Sequence, residues 1–168
     1  INGEKLSMLI FGLSASSLGF SYTQLAEMGV VSPPSHIQSV LGGRMETEHF
    51  RIYYEKDYYS KYRINLLARE HELYLEQVSD KLEMDLPDTH QKIESYLYAN
   101  PWQKKRLVGA KFTSYVPVWL GQDQLHIAAQ QIDGSLRHEL VHVAAKQFGN
   151  ALINASWSIG LSEGLAVA

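Results

Sequence analysis

Cysteine is absent from this 168-residue chain, which excludes disulfides, thiolate metal ligands and a cysteine nucleophile together. Any tightly held metal ion must therefore be bound by His, Asp or Glu side chains. Clustered positive charge is also scarce, because the formal net charge is −3 and no run of Lys and Arg exceeds Lys104-Lys105-Arg106. Binding to nucleic acid needs a basic stripe, so we expect no nucleic-acid partner.

An uncharged, largely apolar stretch covers residues 6–20, and it contains four serines and two glycines. It is shorter than the ~20 residues that span a bilayer. Two interpretations stay open: a buried or docking helix, or a remnant of a signal peptide or membrane segment. The chain begins at Ile1 and stops at Ala168. We therefore expect a fragment or processed piece of a longer protein, truncated soon after residue 163.

Proline and glycine pairs give the clearest punctuation in the sequence, at Pro33-Pro34 and Gly42-Gly43. Such pairs interrupt regular structure and often mark boundaries. They predict an N-terminal segment of unknown role over residues 1–45. The main domain is then predicted to cover residues 46–168.

Alternating strand and helix patterns follow in the main domain, in the order β-α-β-α-β-β-α-α, which predicts an α+β fold. Strands are predicted at residues 49–54, 92–98, 112–120 and 125–129. Helices are predicted at residues 57–84, from Pro101 onward, at residues 136–148 and around Glu163. Asp133-Gly134-Ser135 offers N-cap chemistry for the helix over 136–148.

The segment His138-Glu139-Leu140-Val141-His142 spells H-E-x-x-H. On a helix, positions 138 and 142 lie one turn apart on the same face, so both imidazoles can bind one ion at ~2.0–2.1 Å. Glu139 is rotated by ~100°, which lets it reach a metal-bound water without being a ligand. Catalytic zinc sites hold three protein ligands and leave a fourth position for water. Glu163, on a following helix, fits the third position, and Gly164 would let that helix approach closely.

A competing interpretation is a structural helix with two ordinary histidines and a surface glutamate, which predicts no stoichiometric zinc. A second pair, His71-Glu72, lacks a histidine at the fifth position, and we interpret it as part of a solvated helix face. The triplet Lys104-Lys105-Arg106 is interpreted as a solvated patch, with contact to acidic lipid as the alternative.

The segments over residues 138–142 and 157–166 together resemble the gluzincin zinc metallopeptidases. The closest resemblance is to the peptidase-MA-like group, related to thermolysin and the zinc aminopeptidases. That group combines H-E-[LF]-[TV]-H with W-x-x-E-G-x-A, and here two extra residues separate Trp157 from the Glu-Gly-x-Ala core. The resemblance covers about residues 46–168. It implies a zincin-like domain with a small mixed or antiparallel sheet, a long packing helix, the active-site helix and a following helix with the third ligand.

The resemblance implies zinc-dependent hydrolysis of peptide bonds, with Glu139 as general base on a zinc-bound water. One zinc ion would be bound by His138, His142 and Glu163. A peptide or protein substrate would lie along an edge strand by strand addition, formed by Leu125, His126, Ile127 and Ala128. The Tyr or His that steadies the oxyanion in gluzincins comes from beyond the third ligand, so we expect structural roles for Tyr115 and His126.

The alternative function is an inactive zincin-fold module that binds a protein or envelope partner without cleaving it. The compartment is not determined by the sequence. The absence of cysteine, the apolar N-terminus and the resemblance favour an extracytoplasmic or membrane-associated location. Membrane association of the parent protein therefore stays open.

Overall fold

A computed structural model describes residues 3–24, 32–86, 92–114 and 124–145. By its internal contacts the chain divides into two compact units, Ile1–Ile37 and Gln38–Ala168. The domain boundary predicted after residue 45 stays a prediction. The first unit contains helix α1 (Gly3–Gln24), in which apolar side chains are spread around the helix and form no single stripe. Among the described helices, none combines the length and the apolar character that crossing a membrane demands.

Helix α2 (Pro34–Leu41) begins with proline at its first position, where the missing N–H and the fixed φ of proline are tolerated. The Pro-Pro pair therefore starts a helix within the segment that the sequence marked as a boundary. Strand β1 (Gly42–Glu46) follows directly. Glycine is needed in β1 because a Cβ on Gly43 would lie 2.5 Å from a ring carbon of Tyr54 on the neighbouring strand.

A four-stranded mixed sheet forms the centre of the second unit, within the described residues. Its strands are β1, β2 (Phe50–Glu55), β3 (Ile93–Tyr98) and β4 (Gln124–Ala128), in that spatial order. β1 runs antiparallel to β2, whereas β2, β3 and β4 are parallel to one another. The helices are α3 (Lys61–Lys81), α4 (Pro101–Val108) and α5 (Ile132–Ala145), and a 3-10 turn (Ala129–Gln131) precedes α5. The α+β prediction is confirmed, and of the two expected sheet types, mixed or antiparallel, the structure has the mixed one.

The start of α4 follows the local chemistry that the sequence predicted. The side chain of Asn100 accepts hydrogen bonds from the backbone N–H groups of Trp102 and Gln103, both at 3.0 Å, and Pro101 occupies the first helical position. Gly109 ends the helix with a φ of 78°, a left-handed conformation that favours glycine. These caps fix both ends of a helix of only 8 residues.

The core lies between one face of the sheet and helices α3 and α5. Side chains of β3 alternate, so Ile93 and Leu97 enter this core together with Leu125 and Ile127 of β4. All four are 1% exposed or less. Full burial of each such aliphatic side chain contributes about 1.5–3 kcal/mol. The sheet and α3 therefore form a rigid base on which α5 is positioned.

The beginning of α5 differs from the prediction. The helix starts at Ile132, so Asp133, Gly134 and Ser135 lie in its first turn and do not cap it. The reason is that the 3-10 turn continues directly into the helix, and Ile132 is already helical. Asp133 instead pairs with Arg63 of α3 at 3.0 Å. The ends predicted beyond Ala145, most of the predicted strand over 112–120 and the helix around Glu163 lie outside the described residues.

The interpretation of His71 as part of a solvated face is wrong, because this side of α3 packs against the sheet. The His71 side chain is fully buried, and its Nδ1 lies 2.7 Å from the backbone oxygen of Leu67. Nδ1 therefore carries the proton and donates, and Nε2 accepts from the Ser95 hydroxyl at 2.9 Å. The neighbouring Glu72 accepts from the backbone N–H of His49 at 2.9 Å and lies 2.7 Å from its Nδ1.

Burial lowers the pKa of His71 from 6.5 to about 4, which predicts a loss of stability in acid. Between these two values the unfolded chain binds a proton that the folded chain does not, so stability falls as the pH falls from about 6.5 to 4. The full loss below that window is about 3 kcal/mol. Urea unfolding of wild type and His71→Met across this range tests it: the variant should show a shallower pH dependence. Identical slopes would contradict the assignment.

Candidate metal centre

The apolar pattern of α5 determines which of its side chains face the sheet. Leu136, Leu140 and Val143 are buried in the core, at helical spacings of three and four residues. This anchoring places His138 and His142 on the neighbouring side of the helix, where both are half-buried. The H-E-x-x-H segment is therefore held on a helix whose rotation is fixed by packing against the sheet and α3.

The two histidine rings converge as the helical spacing predicts. Their Nε2 atoms lie 3.1 Å apart, and the ring centroids are 4.8 Å apart at an interplanar angle of 75°. Two nitrogens that each bind one zinc ion at about 2.0–2.1 Å can be no more than about 4 Å apart. The observed separation fits that requirement. It also fits one N–H···N hydrogen bond between the imidazoles. The separation alone therefore does not distinguish a shared metal ion from a direct hydrogen bond.

Glu139 is only 6% exposed, so the competing interpretation of this residue as a surface glutamate is wrong. A buried carboxylate is costly unless other groups compensate its charge. Lys104 of α4 is one such group: burial lowers the pKa of its ammonium, and the charge of Glu139 opposes that shift. The charges of the buried glutamate and of a lysine on another helix therefore interact.

The sequence-based interpretation of Lys104 as part of a solvated patch is wrong. Its side chain is fully buried, because α4 packs its Gln103, Lys104 and Leu107 side inward. The ammonium group donates a hydrogen bond to the backbone oxygen of Thr113. Burial lowers the pKa of Lys104 to about 8, against the opposing effect of the Glu139 charge. The only signal in the sequence was the shared helix face of positions 103, 104 and 107.

The strand predicted to bind substrate is β4, and it lies at one end of the strand order among the described strands. All five of its side chains are buried. Leu125 and Ile127 belong to the core, whereas His126 stacks on Tyr96 of β3 at 4.8 Å with nearly parallel rings. Substrate binding along Leu125, His126, Ile127 and Ala128 stays a prediction.

His126 is held by a polar network on the sheet face opposite the core. Its Nε2 lies 3.3 Å from Oε1 of Gln124 and its Nδ1 lies 2.9 Å from the Tyr98 hydroxyl. Because a carbonyl oxygen can only accept, Nε2 carries the proton and Nδ1 accepts from Tyr98. Burial, and next the nearby Lys104 charge, lowers the pKa of His126 to about 3. These contacts favour the structural role that we expected for His126.

The remaining predicted site residues lie outside the described residues: Glu163, Gly164, Trp157 and Tyr115. Within the described ranges, no group of three or more His, Cys, Asp or Glu side chains is arranged to hold a metal ion. What the structure brings together is two imidazoles and, beside them, a buried glutamate near a buried lysine. That arrangement fits two ligands of a zinc site and one general base.

In comparisons with models of protein families, with curated proteins and with solved structures, the chain matches none of them. The residues of the site, and the resemblance that their motifs carry, are therefore the basis on which a function can be proposed.

Proposed function

We propose that this chain carries the catalytic domain of a gluzincin-type zinc metallopeptidase. His138, His142 and Glu163 would bind one zinc ion, and Glu139 would be the general base. The observation that carries the proposal is the 3.1 Å separation of the two Nε2 atoms on α5, next to a glutamate that is 6% exposed. Burial of a carboxylate beside two convergent imidazoles lowers the stability of the fold. A role of that carboxylate in hydrolysis would explain why the chain keeps it there.

The arrangement of the elements supports the zincin-like part of the proposal. A strand, a long helix and a second strand precede the motif in β2, α3 and β3, which is the order that the gluzincin resemblance implies. The motif helix α5 follows β4 and packs with α3 on one face of the sheet. Both ligands on α5 are therefore positioned by the same core that organises the sheet.

Each group in the proposed site would have a separate role in peptide hydrolysis. A bound zinc ion supplies Lewis acidity, which lowers the pKa of water and polarises a carbonyl oxygen. Glu139 accepts a proton from the attacking water as the new C–O bond forms, and delivers it to the amine as the C–N bond breaks. The charge of Glu139 also interacts with that of Lys104 on α4, which links the general base to a second helix. His138 and His142 would hold the ion through their Nε2 atoms, which already lie 3.1 Å apart.

Removal of the metal tests the proposal on the full-length protein. Elemental analysis should find one zinc ion per chain. Incubation with a mixed peptide library should yield cleaved peptides, which are detected by mass spectrometry. Chelation should abolish cleavage, and added zinc should restore it, because the Lewis acid is part of the reaction. Stoichiometric zinc without cleavage would support the non-cleaving zincin-fold module instead. Absence of stoichiometric zinc would contradict the metallopeptidase and leave either a non-cleaving module that keeps the motif without the ion or a purely structural helix.

A further inference from the structure

A second feature, independent of the motif, is a surface formed by α4 and the turn that follows it. We call it the α4 patch, and it consists of Trp102, Lys105, Arg106, Lys111 and Phe112. Trp102 is 60% exposed and Phe112 is 71% exposed, so both rings present apolar surface to solvent. Lys105 and Arg106 are also exposed, and Lys111 is half-exposed.

The charge of the patch is one-sided. No Asp or Glu occurs between Glu94 and Asp123, although the chain as a whole carries a net charge of −3. Among the described residues, the ion pairs do not include Lys105, Arg106 or Lys111. Within the part of the chain that the structure describes, three cations are therefore concentrated on one surface without acidic partners there, although the whole chain is net negative.

The aromatic and cationic groups of the patch are already organised side by side. The Lys111 ammonium lies 3.2 Å from the centre of the Trp102 ring and 4.5 Å from the Phe112 ring, and Lys105 lies 5.7 Å from Trp102. The opposite side of α4 is buried, and both ends of the helix are capped. The patch is thus presented by an anchored helix, so little ordering is needed on binding.

We propose that the α4 patch binds the surface of a lipid bilayer that contains anionic lipid. Trp and Phe side chains are stabilised at the boundary between headgroups and acyl chains, and each nearby Lys or Arg adds attraction to an anionic leaflet. Nucleic acid is disfavoured because the chain is net negative and offers only three cations here. An acidic peptide would satisfy the charges but would not provide an apolar layer for two exposed rings. The proposal does not depend on zinc or on peptide cleavage.

Vesicle sedimentation of the full-length protein tests this proposal. We compare phosphatidylcholine vesicles with vesicles of equal parts phosphatidylcholine and phosphatidylserine. Wild type should partition onto the anionic vesicles and be released by salt. The double variant Lys105→Glu/Lys111→Glu should lower the partition coefficient by about tenfold or more. Trp102→Ala/Phe112→Ala should also weaken binding, because the rings supply the apolar contact.

The matched control is Lys61→Glu/Lys81→Glu on α3, which makes the same change of charge at two exposed lysines. It should bind as wild type does, and thermal melts should show that all variants fold. If the control lost as much vesicle binding as the patch variant, the attraction would depend only on the overall charge of the protein, and the proposal would be overturned. Vesicle binding that changes neither with lipid charge nor in the patch variants would also overturn the proposal. It would assign the lipid contact to another segment, such as the apolar α1. Capture of polyglutamate but not of vesicles would indicate an acidic peptide partner instead.

Discussion

Replacement of Glu139 by Gln is expected to lower kcat for peptide cleavage by about 10²–10⁴-fold, the usual contribution of a general base. Glutamine has nearly the same shape as glutamate and preserves packing at this buried position, but it cannot accept the proton from water. Zinc content should stay at one ion per chain, since Glu139 is not one of the proposed ligands. The measurement is steady-state cleavage of a substrate peptide together with elemental analysis of the same preparation.

The matched control for this variant is Glu76→Gln, which makes the same chemical change at an exposed position of α3. It should leave kcat unchanged. Near-normal turnover in Glu139→Gln would show that another group takes the proton, and the assigned role of Glu139 would then be wrong. Loss of zinc together with activity would indicate that Glu139 contributes to binding of the metal.

Truncation of His142 to Ala is expected to weaken zinc binding by more than 100-fold. Changes that only disturb the surroundings of a metal ligand already cost about 10–100-fold, and this change would remove one of the proposed ligands outright. The remaining His138 could not replace the proposed chelate of two imidazoles, whose Nε2 atoms lie 3.1 Å apart. Competition with a chromophoric chelator measures the affinity directly and does not depend on any enzymatic activity.

His36→Ala is the control for this second variant, because His36 is an exposed histidine of α2. It should bind zinc with wild-type affinity. If His142→Ala also kept that affinity, the ion would have to be bound elsewhere. The 3.1 Å approach of the two rings would then be explained by a hydrogen bond between them.

Much of the fold was accessible from the sequence because its signals are local. The alternation around Tyr53 and the proline after Asn100 predicted β2 and the start of α4 within a residue. β1 was missed because its Gly42-Gly43 pair is typical of a turn, and the reason for Gly43 is the ring of Tyr54 on another strand. The start of α5 was placed too late because the 3-10 turn before it carries no distinct pattern.

The candidate site also combines features that local sequence signals predict with features that depend on distant elements. His138, Glu139 and His142 could be placed together from the sequence because a single helix turn relates them. The burial of Glu139 and its proximity to Lys104 could not, since they depend on how α4 and α5 pack against the sheet. The interpretation of His71 as solvated is wrong because its environment depends on β3. Its partner there is Ser95, which is distant in sequence. The third ligand, Glu163, stays a prediction.

Anomalous scattering at the zinc absorption edge, from crystals of the full-length protein, tests the central claim most directly. We expect one peak at about 2.0–2.1 Å from Nε2 of both His138 and His142, with a carboxylate oxygen of Glu163 completing the set of protein ligands. A peak at another place, or a Glu163 carboxylate far from both imidazoles, would contradict the assignment of this chain as a zinc hydrolase.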